Sequence, residues 1–137
     1  MGEHTPKRPA TALLILLFAY GAASLLHYAH NAEFLGDYPN MPGWLSRTKV
    51  YVAWLGVTAL GLIGYLLVGR GYRLIGLSVI AVYAGLGFDG LAHYSLAPFA
   101  EHTATMNLTI WLEAATGALL LAAVANSMAK QVRHGEG

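Results

Sequence analysis

Histidine and carboxylate side chains lie within or at the ends of otherwise apolar stretches of this chain. The segment SLLHYAHNAEF places His27 and His30 at the end of the first apolar run. A later run carries Asp89 and His93, and the last one carries Glu113. Imidazole and carboxylate groups bind transition metals and carry protons. These residues therefore predict a site for one of those two kinds of chemistry.

The composition predicts an integral membrane protein. Only 11% of the residues are charged, against about a quarter in typical soluble domains, and the deficit falls in four long apolar stretches. Eight basic and seven acidic residues nearly balance, so charge gives no argument for a nucleic-acid partner. The chain has no cysteine, which excludes thiolate nucleophiles, disulfides and cysteine-bound iron–sulfur clusters. The partner that the composition predicts is the lipid bilayer.

Four helices are expected to span that bilayer, because about 20 mostly apolar residues are needed for each crossing. The predicted spans cover about residues 10–29, 50–68, 74–96 and 106–125. The short GRGYR turn makes the second and third spans an antiparallel hairpin, and recurrent glycines allow close packing. A cleaved signal peptide in the first run is the alternative, and it would leave three spans. We therefore predict a single all-α domain over residues 1–137, an integral membrane four-helix bundle.

The basic residues predict the orientation of the bundle, since lysine and arginine in short loops favour the cytoplasm. Six of them fall on the side of the two termini: Lys7, Arg8, Arg70, Arg73, Lys130 and Arg133. Arg47 and Lys49 are on the opposite side. Both termini are therefore predicted to be cytoplasmic, in a multi-pass protein of the cell inner membrane.

Helical rise places the polar residues at similar depths. At about 1.5 Å per residue, His27 and His93 lie roughly 26 and 28 Å from the cytoplasmic end, and Asp89 and Glu113 roughly 20–23 Å from it. Asp89 and His93 are four residues apart, which puts both on one face of a continuous helix. The expected result is an outward-facing polar cluster above an apolar cytoplasmic half.

His102 joins this cluster if the fourth helix begins just after Pro98. It precedes Glu113 by eleven residues, close to three helical turns, and would then lie above Glu113 on the same side. Three residues that follow His30 are interpreted instead as solvated or capping residues at the membrane surface: Asn31, Glu33 and Asp37.

Metal binding is the function that this cluster favours. Histidine and carboxylate donors without thiolates suit zinc, iron, manganese or Cu(II). The predicted ligands are His27, His30, His93, His102, Asp89 and Glu113. Glu113 and Asp89 are also the candidate catalytic residues, which would manage protons for metal-activated water or oxygen acting on a small or lipid-like molecule. An enzyme needs an open coordination position, so the question of catalysis stays open.

Three of these residues resemble a known pattern. Asp89-x-x-x-His93 followed by His102 is similar to the copper site of the membrane-embedded particulate methane monooxygenase family. The similarity covers these three residues, and the gap to the second histidine is shorter here than in that family. The resemblance implies that such donors can form a metal site on membrane helices, and it assigns no activity.

Two other functions fit the same residues. His27 and His93 stand at matching depth on different helices, as the axial ligands of a haem b do in electron-transfer proteins. Alternatively, Asp89 and Glu113 are intramembrane titrating groups of a protein that handles protons or cations. In a variant of this hypothesis the chain is a structural subunit of a membrane complex or a homo-oligomer.

Overall fold

The structure is a computed structural model that describes residues 11–135, without the side chain of His134. Within this range no β-strand occurs, and four helical segments are long and apolar enough to cross a membrane. They are Thr11–Glu33, Arg47–Gly69, Arg73–Leu96 and Ala104–Arg133. The predicted all-α fold with four helical segments of membrane-spanning length and hydropathy is thus confirmed. Lys7 and Arg8, on which part of the orientation argument depends, lie outside the described residues.

Five α-helices and three 3₁₀ segments make up this range. The α-helices are α1 (Thr11–Glu33), α2 (Arg47–Gly69), α3 (Arg73–Gly85), α4 (His93–Leu96) and α5 (Ala104–Gly135). The 3₁₀ segments are Leu35–Asp37, Leu86–Ala92 and Phe99–Glu101. The third span is therefore α3, a 3₁₀ segment and the single turn of α4 in succession, and the prediction of one continuous α-helix there is wrong.

The 3₁₀ segment Leu86–Ala92 changes which side chains share a face. A 3₁₀-helix has three residues per turn, so residues three apart align and residues four apart do not. Asp89 accordingly is exposed, whereas His93 is buried. The prediction of one shared face assumed the 3.6-residue period of a continuous α-helix; in the structure the two residues differ in exposure, although both line the same cavity.

The four spans pack in a ring, so that each contacts two neighbours. Helix α1 packs against α2 and α5, and α3 packs against the same two helices. The core between them is apolar and includes Leu77, Ile80, Leu120 and Val124. Within this core the hydroxyl of Tyr20 donates to the carbonyl of Tyr83 at 2.9 Å. This core fills the half of the bundle nearer the α2–α3 turn.

Helices α2 and α3 approach each other through a pair of glycines. A Cβ atom built on Gly76 would lie 2.7 Å from the carbonyl oxygen of Gly64, and a Cβ on Gly64 would lie 2.6 Å from Cγ1 of Ile80. Both distances are shorter than a carbon contact allows, so only glycine fits at this crossing. Small residues at such positions bring membrane helices into backbone contact.

The opposite end of the bundle, here called the polar end, is formed by the C-terminal part of α1, the N-terminal parts of α2 and α5, and α4. The connection 34–46 folds across it. Asn40 in this connection adopts a left-handed conformation (φ 57°), which asparagine tolerates better than most residues. Its side-chain amide donates to the carbonyl of Leu96 at 2.9 Å. The connection is thereby fastened to the end of α4.

Candidate functional site

The structure buries four of the six predicted ligands at the polar end. His27, His93, His102 and Glu113 have exposed fractions of 4, 8, 6 and 1%. His30 is partly buried and Asp89 is exposed. In the part of the chain from residue 11 to residue 135, no group of three or more histidine, aspartate or glutamate side chains is arranged to hold a metal ion. The four buried side chains thus lie at one end of the bundle, but in the described residues they are not arranged as a metal centre with three or more ligands.

Glu113 and His27 form the central contact of the cluster. Neither carboxylate oxygen of Glu113 has a hydrogen-bond partner, and its Oε2 lies 3.8 Å from Nε2 of His27. This distance is too long for a hydrogen bond and short enough for an ion pair. An isolated carboxylate is very costly in such an interior, so Glu113 is neutralised by its own proton or by a protonated His27. In either state the pair holds one exchangeable proton.

Thr109 determines which nitrogen of His27 faces Glu113. The Thr109 oxygen lies closer to the carbonyl oxygen of Met106 (3.0 Å) than to Nδ1 of His27 (3.3 Å), and when its hydroxyl donates to that carbonyl the oxygen accepts from Nδ1. Nδ1 then carries a hydrogen. Nε2 is left as the basic nitrogen of the neutral ring, and it is the nitrogen that faces Glu113.

Gly90 leaves the space that this pair occupies. A Cβ built on Gly90 would lie 3.2 Å from Nε2 of His27 and 3.4 Å from Oε2 of Glu113. Gly90 belongs to the 3₁₀ segment, which packs against α5. At this break in the third span, the backbone of Gly90 therefore lies next to Glu113 and His27 without a side chain between them.

His93 lies next to His27 and is held by α1. The two rings meet edge to face with centroids 5.5 Å apart. Nε2 of His93 accepts from the side-chain amide of Asn31 at 2.9 Å, so its Nδ1 carries the hydrogen, and Nδ1 has no partner. Asn31 is buried, and the interpretation of Asn31 as a surface residue is therefore wrong.

His102 lies in the connection before α5 rather than on that helix. Helix α5 begins at Ala104, with Met106 N donating to the hydroxyl of Thr103 at 3.2 Å. The position of His102 above Glu113 on one helix is thus wrong. Nδ1 of His102 donates to the carbonyl of Pro98 at 3.0 Å, which leaves a lone pair on its buried, unpartnered Nε2.

Asn107 holds this connection in place. Its amide nitrogen lies 3.3 Å from the carbonyl oxygens of both Phe99 and His102. Its amide oxygen accepts from the hydroxyl of Tyr94 at 2.8 Å. One buried side chain on α5 thus ties α4 to the connection that carries His102.

His30 is separated from the other histidines by Tyr38. The Tyr38 hydroxyl lies 2.9 Å from Nδ1 of His30, and the Tyr38 ring stacks at a tilt on His93 with centroids 4.9 Å apart. Burial raises the pKa of Tyr38 to about 12, so the hydroxyl keeps its proton at neutral pH and donates it to His30. Glu33, in contrast, pairs with Arg47 at 2.8 Å on the surface, as expected.

A cavity of about 420 Å³, here called the polar pocket, opens beside the pair. Its polar lining comes from His27, Asn31, Asp89 and His93, and its aromatic lining comes from Tyr28 and Trp44. In the described part of the chain Asp89 forms no ion pair with lysine or arginine. The pocket is therefore lined by one carboxylate and two imidazole side chains.

The arrangement bears on the two cofactor hypotheses. Axial histidines of a haem stand on opposite faces of the macrocycle, whereas His27 and His93 contact each other directly. The rings of His93 and His102 are 6.1 Å apart. This geometry does not support the haem hypothesis. For the metal hypothesis, it places imidazole rings next to one another, but in the described residues no three donor side chains converge on one point.

Three residues of the site were not predicted from the sequence: Tyr38, Asn107 and Thr109. Thr109 is almost completely buried, and it resembles an ordinary small residue of a membrane helix. Asn107 offers a usable signal, because an amide inside an apolar span requires partners. The approximate depth match between Thr109 and His27 offers another.

Comparison with protein-family models, curated proteins and solved structures finds no match to this chain.

Proposed function

We propose that this protein carries an acid–base site within its membrane-spanning bundle. Its Glu113–His27 pair gains or loses a proton when a small polar molecule or head group enters the polar pocket. One observation carries the proposal. Glu113 is buried, has no hydrogen bond and faces the basic nitrogen of His27 at 3.8 Å, while His27 itself lines the pocket. Ionisable groups inside membrane spans are costly and mark functional sites.

The contacts of each residue indicate its role in the proposed proton exchange. His27 is the group that reaches the pocket, and Thr109 holds its ring so that Nε2 is the nitrogen available for proton transfer. Glu113 lies behind it and balances the charge of the imidazolium. His93, held by Asn31, and the exposed Asp89 complete the titratable lining of the pocket.

The lining favours a ligand that carries positive charge or hydrogen-bond donors. Asp89 and the unpartnered Oδ1 of Asn31 are acceptors, and the rings of Tyr28 and Trp44 can contact a cation. The ammonium of Lys49 lies 5.4 Å from the centroid of the Trp44 ring, so this ring already has one cation next to it. A positive head group next to the pair would favour loss of its proton.

Proton release on loading the pocket tests the proposal. Adding choline to the wild-type protein in lipid nanodiscs is expected to release up to about one proton per bound choline by linkage, read with a pH-indicator dye in weak buffer. Glu113→Gln is expected to abolish the release. Glu33→Gln, a surface carboxylate, is the matched control and keeps it. Binding of choline with equal proton release in Glu113→Gln would contradict the proposal.

We also propose that the polar end faces the periplasm, with both termini in the cytoplasm. The distribution of basic residues supports it: Arg70 and Arg73 form the turn at the apolar end, and lysine and arginine favour the cytoplasmic side. A reporter fused to the C-terminus is expected to be active in the cytoplasm only. Periplasmic activity of that fusion would reverse the orientation.

Metal binding is a second candidate, favoured by one observation. His27 and His102 each have Nδ1 held by a protein oxygen and Nε2 left with a lone pair, as in histidines that ligate metals. Elemental analysis of the purified protein separates the two functions. Stoichiometric zinc, iron, manganese or copper that is lost in His102→Ala supports the metal site, whereas metal-free protein that still releases protons leaves the acid–base function alone.

A further inference from the structure

A ladder of polar side chains runs between α1 and α5, from Glu113 towards the polar end. On α5, Thr109 lies four residues before Glu113, and on α1, His30 lies three residues after His27, so each pair shares a helix face. The two helices pack against each other. Glu113, His27 and Thr109 are buried, whereas His30 is partly buried. The ladder therefore leads from the enclosed acid to a histidine that is partly accessible.

Both ring nitrogens of His27 face groups of this ladder. Nε2 lies 3.8 Å from Oε2 of Glu113, and Nδ1 lies 3.3 Å from the hydroxyl oxygen of Thr109. An imidazole can take up a proton at one nitrogen and give up the proton of the other nitrogen. Because it lies between an acid and a hydroxyl, the His27 ring is placed to pass a proton from one side to the other.

Tyr38 connects Thr109 to His30. Its side chain is buried, and its ring packs on His93 with centroids 4.9 Å apart, while His93 in turn contacts His27. The Tyr38 hydroxyl lies 2.9 Å from Nδ1 of His30. Burial raises the pKa of Tyr38 to about 12, and a side-chain hydrogen bond with Thr109 acts in the opposite direction. The Tyr38 hydroxyl thus has a ladder residue on each side.

The Thr109 hydroxyl has two acceptors that it can reach by rotation about its C–O bond. In one orientation it donates to the carbonyl of Met106, 3.0 Å away, and in the other it donates to Tyr38. A hydroxyl can accept one hydrogen bond while it donates another. The first orientation interrupts the ladder, and the second completes it from His27 to Tyr38.

We infer that five side chains form a proton wire from the buried pair to the polar end: Glu113, His27, Thr109, Tyr38 and His30. In one passage the carboxyl proton of Glu113 moves to Nε2 of His27, and the Nδ1 proton of His27 moves to Thr109. Thr109 gives its own proton to Tyr38, which gives its own to Nδ1 of His30. Glu113 ends as a carboxylate and His30 as an imidazolium, while the three groups between them stay neutral. The same steps in reverse reload the pair.

The wire deepens the proposed acid–base function and rests on it, because it adds the route by which the proton of the pair leaves. A ligand in the polar pocket covers the side of His27 that lines this cavity, so the proton needs a path that the ligand does not block. The wire starts at Nδ1, which faces Thr109. It requires no cavity, since only protons move along it.

Hydrogen–deuterium exchange at Nδ1 of His27 tests the wire without any ligand. The protein, labelled with ¹⁵N-histidine in lipid nanodiscs, is transferred to D₂O and followed by NMR. Tyr38→Phe keeps the ring and is expected to slow this exchange about tenfold or more, because a relay group is lost. Tyr51→Phe, which removes a surface hydroxyl bonded to Glu33, is the matched control and leaves the rate unchanged. Thr109→Val replaces Tyr38→Phe if that variant does not fold. Exchange as fast as in the wild type in a folded relay variant would overturn the inference.

Chemical rescue distinguishes a relay from a structural role. His30→Ala is expected to slow exchange at His27, and imidazole added to the solution is expected to restore the rate, because it replaces the outermost proton acceptor. Imidazole is not expected to restore exchange in Tyr38→Phe, where the interruption lies inside the bundle. If imidazole does not accelerate exchange in His30→Ala, the wire does not end at His30 and the inference is wrong as stated.

The wire and the proposed function can fail separately. Proton release on adding choline is expected to reach the same amount in Tyr38→Phe as in the wild type, but more slowly, since the pair determines the amount and the wire determines the rate. Choline-driven release, with exchange at His27 that does not depend on Tyr38, would leave the acid–base function and refute the wire. Exchange that depends on Tyr38, without release on adding choline, would leave the wire and refute the proposed function.

Discussion

Replacing His27 by alanine is expected to destabilise the bundle by about 3–5 kcal/mol, the cost of removing one partner from a buried ionisable pair. The substitution leaves Glu113 enclosed with no hydrogen bond and without the imidazole at 3.8 Å. The free energy of unfolding, measured by sodium dodecyl sulfate titration in mixed micelles, gives the effect.

A double-mutant cycle identifies the cause of this loss. Adding Glu113→Gln to His27→Ala removes the uncompensated acid, so the double variant is expected to be less destabilised than the sum of the two single variants. His30→Ala is the control, because that ring is partly buried and has the hydroxyl of Tyr38 as its partner; a loss of about 1 kcal/mol is expected there. Additive effects of the His27 and Glu113 substitutions would show that the pair is not coupled.

Replacing Asn107 by alanine is expected to cost about 2–4 kcal/mol in the same measurement. Its side chain donates to two carbonyl oxygens and accepts from the hydroxyl of Tyr94, and buried polar groups that lose their partner each cost about 1–3 kcal/mol. The connection that carries His102 is expected to loosen as well, which faster hydrogen exchange at residues 97–103 would reveal.

Asn40→Gly is the control for Asn107→Ala, because glycine tolerates the left-handed conformation of residue 40. Asn40 makes one exposed hydrogen bond, to the carbonyl of Leu96, and its removal is expected to cost about 1 kcal/mol or less. If Asn107→Ala is no more destabilising than Asn40→Gly, the role of Asn107 as the anchor of this connection is wrong.

The sequence predicted the spans well because hydropathy and length determine them almost alone. From residue 11 onward, all four predicted segments fall within helical spans of the structure, and residue 10 lies outside the described residues. The interior of the third span could not be predicted in the same way, because glycines such as Gly87 and Gly90 permit a 3₁₀ segment without requiring one. The side chain of Asp89 was misplaced for that reason.

The site was predicted in part for a different reason. A carboxylate deep in an apolar span must face the interior, and this argument holds for Glu113, which is buried, and fails for Asp89, which is exposed. His27 and His93, which were grouped with Glu113 by their depth, are also buried. Asn31 was misjudged because its burial depends on how the connection 34–46 folds back, with Tyr38 buried against the cluster. Such long-range covering of a helix end leaves no signal in the local pattern.

Infrared difference spectroscopy with choline tests most directly whether Glu113 and His27 exchange a proton. Spectra recorded with and without choline are expected to differ in the carboxyl region for the wild type, because the protonation or pairing of Glu113 changes. The difference is expected to vanish in Glu113→Gln and to persist in Glu33→Gln. A carboxyl difference signal that is identical in the wild type and Glu113→Gln would contradict the acid–base function.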